Sequence, residues 1–124
     1  MELALYFAAL LIVAVGVAHS YLGERYILIR LFRRDDLPKL FGSAEFTTRT
    51  LRFAWHLSSV AWLGFAAILA LLAHAPTKPS SIGLVVGCTF LAHSAIALAA
   101  SRGRHLSWPV FLAIGIIAIY ATRT

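Results

Sequence analysis

The chain has 124 residues, 60% of them hydrophobic and 13% charged, with 11 Lys and Arg against 5 Asp and Glu for a net charge of +6. Soluble domains are nearer about 45–50% apolar and about 25% charged, so this composition excludes a water-soluble globular domain and points to a membrane protein. Just under fifty residues remain once the apolar stretches are placed, too few for a second domain. A single cysteine, Cys88, excludes an internal disulfide and a Cys-based zinc site, and in its apolar surroundings it reads as a small core residue.

Four apolar stretches come close to the roughly 20 residues that a bilayer crossing needs: about 3–22, 53–73, 82–100 and 106–121. None alternates with period two, and all are longer than a barrel strand, so they read as helices. The first resembles a secretory leader at Gly16-Val17-Ala18, but its start carries Glu2 and no Lys or Arg, so it is read as a retained helix. The segment at about 24–51 is basic and amphipathic. Its part from Tyr26 to Arg34 continues the first helix into the headgroup layer, with arginines snorkelling. Asp35 and Asp36 then break it as caps, Pro38 opens a short further helix, Gly42-Ser43 punctuates, and Thr50 caps the second long helix. The links at His74 to Ser81 and Ser101 to His105 are short, which makes consecutive helices antiparallel neighbours. The expected fold is all-α: a single integral membrane domain over 1–124, built as an up-down four-helix bundle.

The basic residues fix an orientation. Seven of the eleven fall between helices one and two and two between helices three and four, leaving Lys78 and Arg123 on the other side. The positive-inside rule puts those nine in the cytoplasm and both termini outside, most simply in a bacterial inner membrane. The charge is thus a matter of topology, and no nucleic-acid partner is expected.

A weak internal repeat is visible. Ala18-His19-Ser20 in helix one matches Ala92-His93-Ser94 in helix three. His56-Leu57-Ser58 in helix two matches His105-Leu106-Ser107 in helix four, each followed by bulky residues (Trp62 and Phe65, Trp108 and Phe111). A hairpin duplicated about an axis along the membrane normal explains this; chance in Ala/Leu-rich helices explains it equally well.

The repeat puts one histidine in the cytoplasmic half of every helix. At a rise of about 1.5 Å per residue, His93 lies roughly 13 Å from the cytoplasmic edge and His56 about 6 Å. His105 is at the edge, and His19 falls between His56 and His93 or level with one of them. His74 reads as an interfacial residue at the opposite end. Ionisable groups inside a span are costly and face the interior, so the cluster suggests three uses. Haem b could be held by His19, His56, His93 and His105, with Arg52 on a propionate; Arg52 could equally hold a lipid phosphate. A transition-metal ion could be held by His19, His56, His93 and Glu24. Protons could be carried, since imidazole titrates near working pH. The alternative for each histidine is a hydrogen bond that serves packing, for Glu24 an ion pair with Arg25 or Arg52, and for Arg52 and Trp55 an interfacial anchor. Haem or metal binding for electron transfer or sensing leads. A scaffold or assembly subunit without chemistry and a small oligomeric proton-coupled transporter or channel are the alternatives. Gly83 and Gly87 form a small-residue face for close helix contact, within the bundle or in a homo-oligomer. Phosphate loops, H-E-x-x-H, C-x-x-C and G-x-S-x-G motifs are all absent.

Overall fold

The computed structural model describes residues 1–74 and 76–123; Ala75 in the expected outer turn and the terminal Thr124 lie outside the described residues. Among the described residues the fold is all-α, with four helices and no strand. Helix α1 occupies Glu2–Leu22 and runs on without a break through π-helical turns at Gly23–Leu28 to Leu31. Helix α2 is Glu45–Ala73, α3 is Pro79–Ser101 and α4 is Ser107–Ala121. The first three are 30, 29 and 23 residues long and apolar enough to cross a membrane. Helix α4, expected as a fourth span, has 15 residues, roughly 22 Å at about 1.5 Å per residue against a hydrocarbon core of about 30 Å.

The helices are joined as antiparallel neighbours, and the packed pairs are α1 with α2, α2 with α3 and α3 with α4. Among the described residues α1 and α4 do not pack on each other, so the helical bundle is open along one side and has no wide core. Its buried apolar residues are mostly alanines, with Leu28 and Phe53 the bulky exceptions, while Leu3, Phe7, Leu10, Ile116 and Ile117 are exposed. Each such side chain left in water forgoes about 1.5–3 kcal/mol; a hydrocarbon solvent removes that cost.

Small residues bring the α3 and α4 backbones together. A Cβ added at Gly83 would collide with Thr122, and one at Gly87 with Ile119 and the Gly115 carbonyl. Of the two uses expected for this face, contact within the bundle or between copies, the structure shows the first: α4 of the same chain lies on it. Because Gly83 meets Thr122 and Ser94 meets Trp108, α4 lies alongside the N-terminal and middle parts of α3.

Equivalent positions of the weak repeat make equivalent contacts. The His19 and Trp62 rings are 4.8 Å apart between α1 and α2, and His93 and Phe111 are 5.5 Å apart between α3 and α4. The Ser20 hydroxyl donates to Ser59 Oγ at 2.7 Å, and the Ser94 hydroxyl donates to the Trp108 carbonyl at 2.8 Å.

The basic segment differs from expectation in its second half. The helix continues to Leu31 as anticipated, but Pro38 does not open a helix. Instead Leu40 and Ser43 pair across a tight turn whose central residues, Phe41 and Gly42, have φ of 57° and 87°. That geometry suits Gly at the second position and is unfavourable for Phe at the first. The Thr47 hydroxyl donates to the Pro38 carbonyl at 2.7 Å, which folds this turn back onto α2. Helix α2 consequently starts at Glu45, whose N–H bonds to Ser43 Oγ at 3.3 Å, and Thr50 is inside the helix rather than its cap. The Arg34 guanidinium forks onto Asp36 at 2.8 and 2.6 Å and holds that carboxyl below its ordinary range. The pair is fully exposed, so it shapes the loop more than it stabilises the fold.

Gly87→Val should lower the thermal midpoint in detergent, through an overpacking cost of about 1–3 kcal/mol. Gly16→Ala should leave it unchanged, because a Cβ there meets only ordinary contacts, the nearest at 3.7 Å.

Candidate functional site

The polar residues of α1 and α2 meet along one seam. His19, Ser20, Gly23 and Glu24 share one face of α1, and Arg52, Trp55, His56 and Ser59 share the facing stripe of α2, by the spacing of three and four that aligns side chains on a helix. Trp55 fits closely because position 23 is glycine: the indole stands where a Cβ would be. Its N–H donates to the His19 carbonyl at 3.0 Å, just before the winding changes from α to π. Such π turns are frequent at functional sites, and here one carries Glu24.

An unbroken series of hydrogen bonds crosses this seam. His19 Nδ1 is 3.1 Å from Ser59 Oγ. Ser59 Oγ accepts from the Ser20 hydroxyl at 2.7 Å. Ser20 Oγ is 3.0 Å from His56 Nδ1. His56 Nε2 is 3.3 Å from Glu24 Oε2, and Glu24 ends the series in an ion pair with Arg52 at 3.0 Å. The guanidinium of Arg52 in turn lies 4.9 Å from the centre of the Phe32 ring. The His19 ring is clamped between two indoles, stacked on Trp55 at 4.6 Å and 5° and against Trp62 at 4.8 Å. Indole faces attract cations, so this enclosure is apolar yet hospitable to positive charge. Ser59 is buried, and His19, Ser20 and His56 are half-buried.

The other histidines lie elsewhere. His93 is buried at the α2–α3 boundary, where its Nε2–H donates to the Leu57 carbonyl at 3.1 Å and its ring packs on Phe90 and Phe111 at 5.5 Å each. His105 opens α4: its Nδ1 accepts from the Ser107 N–H at 3.3 Å and lies 2.8 Å from the Ser107 hydroxyl, with the ring beside Phe46 and Phe53. His74 pairs with the Tyr6 hydroxyl at the far end of the α1–α2 hairpin.

Of the residues singled out from sequence, His19, His56, Glu24 and Arg52 are thus brought together, and His93 and His105 are not. Glu24 takes Arg52 as its partner, while Arg25 donates to the Tyr21 hydroxyl at 3.1 Å. Among the described residues no three His, Cys, Asp or Glu side chains form a group that could hold a metal ion; two serine hydroxyls stand between the imidazoles of His19 and His56. Sequence reasoning missed the Gly23–Trp55 lock. The only signal was a glycine one turn below His19 and a Trp beside His56.

No family model, curated protein or solved structure matches the chain.

Ser59 partners both His19 and Ser20, so Ser59→Ala should cost about 1–3 kcal/mol by leaving polar groups unpaired. Ser58, which donates only to the Trp55 carbonyl of its own helix, should be replaceable by Ala at much smaller cost. Denaturation of the two variants in detergent gives the comparison.

Proposed function

We propose that this is an integral membrane protein of the small proton-coupled transporter or channel type, and that its histidine–serine seam is the cytoplasmic half of a proton path. One observation carries the reading: four consecutive hydrogen bonds link His19 to Glu24 through Ser59, Ser20 and His56. The three long apolar helices support the membrane location. The nine basic residues on the two linking segments and the helix ends beside them support a cytoplasmic placement of those segments, with both termini outside, as in a bacterial inner membrane.

The bond directions allow a balanced transfer. With His56 as imidazolium, Nε2–H faces Glu24 and Nδ1–H faces Ser20. The His56 Nδ1 proton passes to Ser20 Oγ, the Ser20 hydroxyl proton to Ser59 Oγ, and the Ser59 hydroxyl proton to His19 Nδ1. His56 ends neutral and His19 ends cationic between its two indoles. The neutral His56 keeps its proton on Nε2, where Glu24, held by Arg52, accepts the hydrogen bond, and a second transfer starts only after Nδ1 is protonated again. Serine gives and accepts a proton with one oxygen, which lets it act as a link, and imidazole supplies a store at each end. On the outer side of His19, α1 is apolar as far as Tyr6, so the series serves one half of the membrane and transport requires a further outer path.

Proton flux is the test. In reconstituted vesicles under a pH gradient the unaltered protein should carry protons, and the Ser20→Ala/Ser59→Ala double variant, which removes both linking hydroxyls, should lose most of that flux. Flux absent from the unaltered protein, or unchanged in the double variant, would sink the proposal. The competing use of the same imidazoles is ligation of haem or a transition-metal ion. A visible haem spectrum or stoichiometric metal in gently purified protein, lost in a His19→Ala/His56→Ala variant, would favour that use instead.

A further inference from the structure

A second feature lies on the boundary between α2 and α3, and the proton path does not account for it. Near the start of α2 an open cavity of about 490 Å³ is lined by Arg49, Arg52 and His56 together with the carboxylate of Glu45, and is closed on the α3 side by Ile96 and Ala100. Arg49, Arg52 and His56 are spaced by three and four residues, which puts them on one stripe of the helix. Two turns further along the same helix pair lies a cavity of about 450 Å³ whose wall is almost wholly apolar, formed by Val60, Leu63 and Ala67 of α2 and Leu84, Cys88 and Ala92 of α3. Val60 is one turn beyond His56 on α2, and Ala92 is one turn beyond Ile96 on α3, so the two cavities follow each other along one groove. The groove is cationic at the end where the basic loops emerge and apolar towards the other.

The cationic end has charge to spare. Arg49 pairs with Glu45 at 3.0 Å and Arg102 reaches the same oxygen at 3.3 Å, while Arg52 pairs with Glu24 at 3.0 Å. Three guanidinium groups thus share two carboxylates before His56 is counted. Arg49 also donates to the Ala100 carbonyl at 3.1 Å, which fixes it across the two helices. A guanidinium has five N–H donors, so both Arg49 and Arg52 keep donors for an anion. Basic pockets between membrane helices on the cytoplasmic side are the sites that hold anionic headgroups.

We infer that the α2–α3 groove is a binding site for one anionic phospholipid, its phosphate on Arg49 and Arg52 and an acyl chain along the apolar cleft past Val60 and Ala92. The site overlaps the proposed proton path only in part: Ser59 and Ser20 line neither cavity. Arg52 and His56 belong to both.

Native mass spectrometry of the full chain in detergent, with dioleoyl phosphatidylglycerol and dioleoyl phosphatidylcholine offered in equal amounts, tests this. The anionic lipid should be retained selectively. Arg49→Gln should lower its retention about fivefold, the loss expected for one arginine near a phosphate, and Arg49→Lys should largely restore it. If Arg49→Gln does not fold, Ala92→Phe carries the test by closing the apolar cleft, and it should lower retention while leaving helix content unchanged. Ser59→Ala should retain the lipid fully, so failure of the proton path and failure of this site are read separately. Equal retention of the two lipids overturns the inference. So does displacement of the anionic lipid by an equal concentration of inorganic phosphate or oleate, which would make the groove a site for a free anion or a free fatty acid.

Discussion

A polar group in hydrocarbon must find its partner within the protein, and in this chain that requirement sets the order of the helices. Three polar contacts act as pins between neighbours. Ser20 and His19 fasten α1 to Ser59 of α2. The His93 imidazole fastens α3 to the Leu57 carbonyl of α2. The Ser94 hydroxyl fastens α3 to the Trp108 carbonyl at the start of α4. Leu57 and Ser59 are two residues apart on α2, and His93 and Ser94 are adjacent on α3, so the pins fall in one narrow layer. Further polar contacts flank that layer: the Trp55 N–H on the His19 carbonyl and Glu24 with Arg52 between α1 and α2, and Arg49 on the Ala100 carbonyl between α2 and α3. Among the described residues the packed pairs are all consecutive helices, and α1 and α4 do not meet.

The same layer explains why the chemistry sits where it does. A pin made from one serine and one carbonyl is complete. The α1–α2 pin is different, because its hydroxyls meet imidazoles on both sides, and each imidazole has a second nitrogen to satisfy. At His56 that nitrogen reaches Glu24, which in turn needs Arg52. A packing contact grows in this way into a series that ends at the charged edge of the helix pair. At His93 the surroundings are Phe90 and Phe111, and the contact stays a pin.

Hydropathy made the helices legible, and residue counting made the histidine depths legible. The directions in which those histidines point were not. His19 and His93 occupy matching places in the repeat, yet one bonds a serine hydroxyl and the other a backbone carbonyl. The difference is that α1 has a neighbour on one side only, whereas α3 has one on each. Sequence periodicity in helices that are apolar all round carries no record of which side faces a neighbour. The start of α2 was misread for a related reason. Thr50 has the composition of a cap, but the turn at Phe41 and Gly42 and the bond from Thr47 to the Pro38 carbonyl depend on contacts between segments that no local pattern announces. The Gly83 and Gly87 face was legible as a place of close approach; that α4 of the same chain fills it follows from the short link at Ser101 to His105, which leaves α4 no other place to go.

His56 is where the two halves of this account meet. Its Nδ1 belongs to the α1–α2 seam through Ser20, while the same side chain lines the cationic end of the α2–α3 groove. A proton on His56 is therefore felt on both sides of α2. Beside the groove that proton would add to the positive charge of Arg49, Arg52 and Arg102. An anion in the groove and a proton on His56 favour each other by ordinary Coulomb attraction, strengthened by the low dielectric at the edge of the hydrocarbon. That attraction is reciprocal by linkage, so the proposed proton path and the proposed lipid site would be coupled through this one residue.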